Sequence, residues 1–163
     1  MIVEKLLKEM FAFNHGDPAK IQHLTKVYAY AQLIGSEEGL SEDALRVLCM
    51  AAILHDIGIR PCEERFGHCT GKMQEEYGPA YAAEILGKFP EVTKEETERV
   101  LFLIARHHTY EPVEGMDHRI LLEADFLVNA FEGALGKDVV LNARKSFFRT
   151  EAGTALLNKM FDL

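Results

Sequence analysis

The stretch AAILHDIGIRP at residues 51–61 ends an apolar run with two adjacent polar groups, His55 and Asp56. Burying a neutral polar group without a partner costs roughly 2–7 kcal/mol. The pair therefore either faces solvent at a helix end or holds something. Further residues of the same chemistry lie along the chain: His23, Asp125 within LLEADFLVNAF, and His107 and His108 within RHHT. Two imidazoles and two carboxylates converging from different helices would make a divalent cation site, with nitrogen donors and enough negative charge to offset the ion. Such a mixed N/O set suits Mn, Fe, Co, Ni or Mg better than a thiolate-rich structural Zn site, although Zn also accepts these donors.

Each residue alone has an ordinary explanation. A lone helical histidine is more often a surface or satisfied core residue than a ligand. Asp56 could cap the turn at Gly58, and Asp125 could pair with a buried lysine or arginine. His15, His68 and His118 read as structural or solvated. The combination H…HD…D in one helical chain shifts the balance toward a cation.

The elements that must position these residues follow from the periodicity, which is helical nearly throughout. Residues 2–13 set Val3, Leu6, Leu7 and Met10 on one face, and Asn14 and Gly16 break the segment. Asp17 supplies an N-cap and Pro18 suits the first helical position of a second helix, which runs to about Gly35. Ser41 opens a third, with Glu42 and Asp43 at its positive end. From Ala44 to Leu54 that helix is apolar on almost every face, the mark of a covered central element. Gly58 and Pro61 are expected to end it, and residues 61–74 to form a loop. A fourth helix is expected over about 75–88. Thr93 and Glu96 form a capping box for a fifth, ending near RHHT. A sixth covers about 118–132, and two short helices close the chain. The expected fold is all-α, a bundle of about seven or eight helices in a single domain over residues 1–163.

Composition narrows the function classes. The 163 residues carry a net charge of −8 and no basic stripe, which argues against a long nucleic acid as partner. A small phosphorylated ligand remains compatible, because a metal supplies local positive charge. No apolar stretch is long enough for a bilayer and no signal peptide is recognisable, so no membrane partner is expected. Cys49, Cys62 and Cys69 form no CxxC and are odd in number, which points to a reducing, cytoplasmic setting.

The order His23, His55–Asp56, Asp125 resembles the signature of the HD-domain superfamily of metal-dependent phosphohydrolases. HLTKVYAYAQLIG is similar to its first-ligand helix, AAILHDIG to its central helix, YGPAYAAEIL to the small-residue helix that follows, and EADFLVN to its last ligand segment. These matches span about residues 20–132. The resemblance implies that His23, His55, Asp56 and Asp125 hold one metal. It also implies that His107 and His108 either hold a second metal or meet the substrate phosphate. Gln74 stands where the resemblance expects another histidine, with Glu75 beside it as a carboxylate able to substitute. Ile59 and the stretch YEPVEG match neither the cyclic-dinucleotide nor the nucleotidase branch. Arg60, Lys26 and Lys72 are candidates for substrate-phosphate contacts.

The implied activity is metal-assisted hydrolysis of a phosphate ester or anhydride, on a nucleotide or another small metabolite, with one or two divalent ions. Two alternatives stand beside it. One is an HD-type nucleotide-binding or sensor module without turnover; the other is an HD-fold di-iron oxygenase, which needs a full second-metal set. The apolar C-terminal GTALLNKMFDL could serve a homodimer as easily as the core.

Overall fold

The computed structural model describes residues 1–163 and contains helices and no strands. Nine helices follow in order: α1 (Ile2–Phe13), α2 (Pro18–Glu37), α3 (Glu42–Leu54), α4 (Ile59–Phe66), α5 (Gly71–Leu86), α6 (Lys94–Ile104), α7 (Met116–Glu132), α8 (Lys137–Ser146) and α9 (Glu151–Phe161). None is long and apolar enough to cross a membrane.

The caps act where the local sequence offers them. The Asp17 side chain accepts from the Lys20 N–H with Pro18 in the first turn, and Ser41 accepts from the Ala44 N–H. Thr93 and Glu96 bond each other's backbone amides in the expected capping box. The Thr70 and Thr150 side chains cap α5 and α9 singly, accepting from the Met73 and Gly153 N–H groups. Each such cap satisfies an amide that the helix itself leaves free.

Helix α3 is the axis of the bundle. Every residue from Val47 to Leu54 is buried, and α1, α2, α6 and α7 pack around it. Its all-round apolarity is what this position demands. The C-terminal α9 lies against α7 and α8, burying Leu157 within the chain's own core.

The region 61–74 departs from the expected loop. Gly58 and Pro61 do not end helical structure there; α4 starts immediately after Gly58 with Pro61 in its first turn. Proline fits that turn because its missing N–H would have no intrahelical partner anyway. Gly67, at φ 79°, ends α4 in the left-handed conformation that favours glycine, and α5 begins at Gly71. The turn after Asp56 packs backbone to backbone on α5: a Cβ on Gly58 would lie 2.7 Å from Gly78 Cα.

Candidate metal centre

Five helices bring their ends or faces to one point. His23 projects from the second turn of α2. His55 is the C-cap of α3, and Asp56 follows in the turn. His107 and His108 lie just past the end of α6, Gln74 sits in the first turn of α5, and Asp125 lies midway along α7. His23, His55, His107 and Asp125 are all buried.

The histidine orientations are fixed from behind. His55 Nδ1 lies 2.8 Å from the Ala52 carbonyl, and His107 Nδ1 lies 2.6 Å from the Ile104 carbonyl. Both rings use the same device: the Nδ1–H donates to a helix-end carbonyl three residues back, satisfying a group the helix leaves free. His23 Nδ1 lies 3.1 Å from Glu132 Oε2, and Lys26 braces that carboxylate from the other side at 2.9 Å. With each Nδ1 donating outward, each Nε2 points at the centre, and its lone pair becomes available to an ion once the ion has displaced the proton there.

At the centre, His23 Nε2 stands 3.4 Å from His55 Nε2, 3.2 Å from Asp56 Oδ2 and 3.1 Å from Asp125 Oδ1. His55 Nε2 stands 3.5 Å from Asp56 Oδ2 and 3.3 Å from Asp125 Oδ1. Donors held at about 2.1 Å from one small cation stand roughly 3.0–3.4 Å apart, so these separations match a ligand shell. Asp125 Oδ1 supplies an independent sign. It is fully buried and makes no hydrogen bond, despite its short distances to two imidazole nitrogens. A buried carboxylate oxygen left without a partner is costly, and a cation would satisfy it.

Electrostatics agree. Burial works against the His23 imidazolium, but the Asp125 and Asp56 carboxylates outweigh it and raise its pKa to about 11. His107 is likewise raised against the effect of burial, chiefly by Asp56. Burial opposes ionisation of Asp56 and Asp125 too, yet the surrounding imidazoles hold both well below the usual carboxylate range. Without a cation, protons on the rings balance the carboxylates. A divalent ion would displace them.

A second corner adjoins the first through Asp56. Its Oδ2 faces His23 and His55, while its Oδ1 lies 3.1 Å from His107 Nε2. Asp56, His107 and His108 form a further group of close donors. Gln74 Oε1 closes this corner, 3.2 Å from His107 Nε2 and 2.6 Å from His108 Nε2. Burial and the neighbouring His107 push the His108 pKa down, which favours its neutral ring.

The remaining candidates lie elsewhere. Glu75 accepts from the Thr109 hydroxyl at 2.7 Å, tying α5 to the segment after α6. Arg60 donates to the backbone carbonyls of Phe13 and His15, at 3.3 and 2.8 Å, and so braces the α1–α2 connection. Lys26 is engaged by Glu132, and Lys72 is exposed outside the cavity lining. A cavity of about 340 Å³ opens over the centre. Lys20, Glu63, Asn129 and Glu132 line it beside His23, Asp56, Gln74, His108 and Asp125. None of those first four was singled out from the sequence as a site residue. A signal existed for two of them: Asn129 and Glu132 follow Asp125 by four and seven residues, one face of a helix.

The HD domain family model matches residues 21–145, most of the chain and every central and cavity-lining side chain named above except Lys20. No curated protein and no solved structure matches.

Proposed function

This chain belongs to the HD-domain family, and from that premise we propose that it is a metal-dependent phosphohydrolase acting on a small phosphate ester or anhydride. His23, His55, Asp56 and Asp125 hold a single divalent ion. The observation that carries this assignment is Asp125 Oδ1, a buried oxygen without a hydrogen bond, faced by two imidazole nitrogens. A divalent cation there supplies Lewis-acid polarisation of a phosphoryl oxygen and a water acidified for attack.

The chain's own residues do the rest. Asp56 Oδ1, turned toward His107, can accept a hydrogen bond from the attacking water and so orient it. Lys20 reaches the cavity from the first turn of α2 and takes the part that the sequence suggested for Arg60, meeting phosphoryl charge. His108 lines the cavity as a neutral ring whose Nε2 is tied to the Gln74 amide, and so it shapes the leaving side rather than protonating it. The Gln74 amide sits against His108 Nε2, so that nitrogen is not free for a second ion. This disfavours a di-iron oxygenase, which needs two.

The test is phosphate release from a panel of phosphate esters by protein loaded with Mn, Co, Ni or Mg, with metal content measured on the same sample. Turnover that requires the ion and is lost in Asp125→Asn supports the proposal. A fully loaded protein that releases no phosphate from any member overturns it.

A further inference from the structure

We propose that the substrate is a phosphate monoester of a small hydroxylated body, such as a sugar or polyol phosphate, and not a nucleotide; this rests on the phosphohydrolase reading above. Three properties of the 340 Å³ cavity support it.

The first is the absence of a surface for a base. The only hydrophobic lining residues are Ala19 and Ile59, and no phenylalanine or tyrosine lines the cavity. A nucleobase is a flat ring whose faces proteins cover with aromatic or broad apolar side chains. Two small aliphatic contacts leave most of those faces uncovered.

The second is charge. Four carboxylates, Asp56, Glu63, Asp125 and Glu132, line the cavity against one lysine, Lys20. One divalent ion offsets two of them and leaves the lining net negative. The dianion of a monoester can be met at the ion and Lys20. Glu132 is neutralised by Lys26. A di- or triphosphate would still bring further negative charge against Glu63, whose partner Lys20 is shared with Asp17 and is the same group that must meet the phosphate. Like charges repel there.

The third is the chemistry of the walls. Glu63 on α4 and Asn129 on α7 face the same cavity, and Lys20 Nζ lies 3.2 Å from Glu63 Oε2. Carboxylates accept hydrogen bonds, an amide both donates and accepts, and an ammonium donates. Hydroxyl groups, which do both, are the ligands such walls satisfy.

The experiment compares glucose 6-phosphate and glycerol 3-phosphate with AMP and ATP on the full chain loaded with Mn. Phosphate release should give the two hydroxylated monoesters at least a tenfold higher kcat/KM than either nucleotide. Glucose 6-phosphate should also raise the melting temperature of the loaded protein more than AMP at equal concentration, a readout independent of turnover. Glu63→Gln should lower the KM for ATP and raise that for glucose 6-phosphate, opposite movements that a merely structural role for Glu63 would not produce. A nucleotide preferred in turnover or in stabilisation overturns the proposal, as does a Glu63→Gln variant that moves both KM values together. Silence toward all four phosphates, with glucose 6-phosphate still stabilising more than AMP, overturns the phosphohydrolase reading and leaves the ligand class supported.

Discussion

Gln74 Oε1 lies 2.6 Å from His108 Nε2, so a neutral amide occupies a nitrogen that could otherwise bind a cation. Either orientation of the amide uses that nitrogen: its oxygen accepts from an N–H, or its NH2 donates to a lone pair. Gln74→His replaces the amide with an imidazole next to Asp56 Oδ1 and His107. The variant should raise the metal-to-protein ratio from near one toward two, read by elemental analysis after dialysis against Mn. A ratio unchanged from wild type would show that residue 74 does not set the metal count.

Removing a ligand should act on the ion before it acts on the fold. Asp125→Asn keeps the side-chain shape and deletes the charge beside His23 and His55. At an ion concentration about a hundredfold above Kd, binding stabilises the folded chain by about 2.7 kcal/mol. For a chain of this size that corresponds to a wild-type melting rise of roughly 5–10 °C over the EDTA-treated protein. Asp125→Asn should lose most of that rise. A wild-type melting temperature indifferent to both EDTA and Mn would contradict the metal centre itself.

Glu132 touches no ion in this arrangement; it holds His23 through Nδ1. Partners behind a metal-bound histidine typically contribute about 10–100-fold in affinity. Glu132→Ala should therefore weaken Mn binding by about that factor in a chelator competition, while the stoichiometry at saturation stays at the wild-type value. Full loss of the ion would instead make Glu132 a ligand.

The raised pKa of His23, about 11 against an ordinary 6.5, fixes a pH dependence with two parts. In the ion-free protein the charged ring stabilises the fold fully below about 6.5, and this contribution is lost as pH rises through about 11. The ion must displace the same proton, so its apparent affinity should rise with pH throughout that window, by about tenfold per pH unit for one proton released. Titrations with Mn at pH 6 and pH 8 should differ by about a hundredfold on the same basis. Equal affinities would show that no proton leaves His23 on binding.

The parts legible in the sequence are those written locally. Asp17–Pro18, Ser41 and the Thr93–Glu96 box each sit at a helix start that the structure contains, because a cap needs only residues within one turn. Helix α4 was illegible because Gly58 and Pro61 are as compatible with a new first turn as with a stop. Their spacing alone does not choose. That ambiguity reached the site. Arg60 follows Asp56 closely in sequence, yet α4 carries it to the carbonyls of Phe13 and His15. Glu63, in the stretch whose glycines and proline suggest a loop, lines the cavity from the same helix. The set His23, His55, Asp56 and Asp125 was legible from residue type and order, and the structure draws them together. Glu132 is not legible in the sequence because a helix end commonly carries such a charge, and only the approach of α2 gives it His23 as a partner.

The contact between Gly58 and Gly78 separates scaffold from chemistry. With a Cβ on residue 58 only 2.7 Å from Gly78 Cα, main chain meets main chain, and the offset of α5 from the turn after Asp56 is set without any side chain. Gln74 stands one helical turn before Gly78 on α5. Residue 74 is thus an interchangeable fitting on a fixed mount. An amide, imidazole or carboxylate there would be presented to Asp56 from the same backbone position, so residue 74 can alter what faces Asp56 without moving the scaffold.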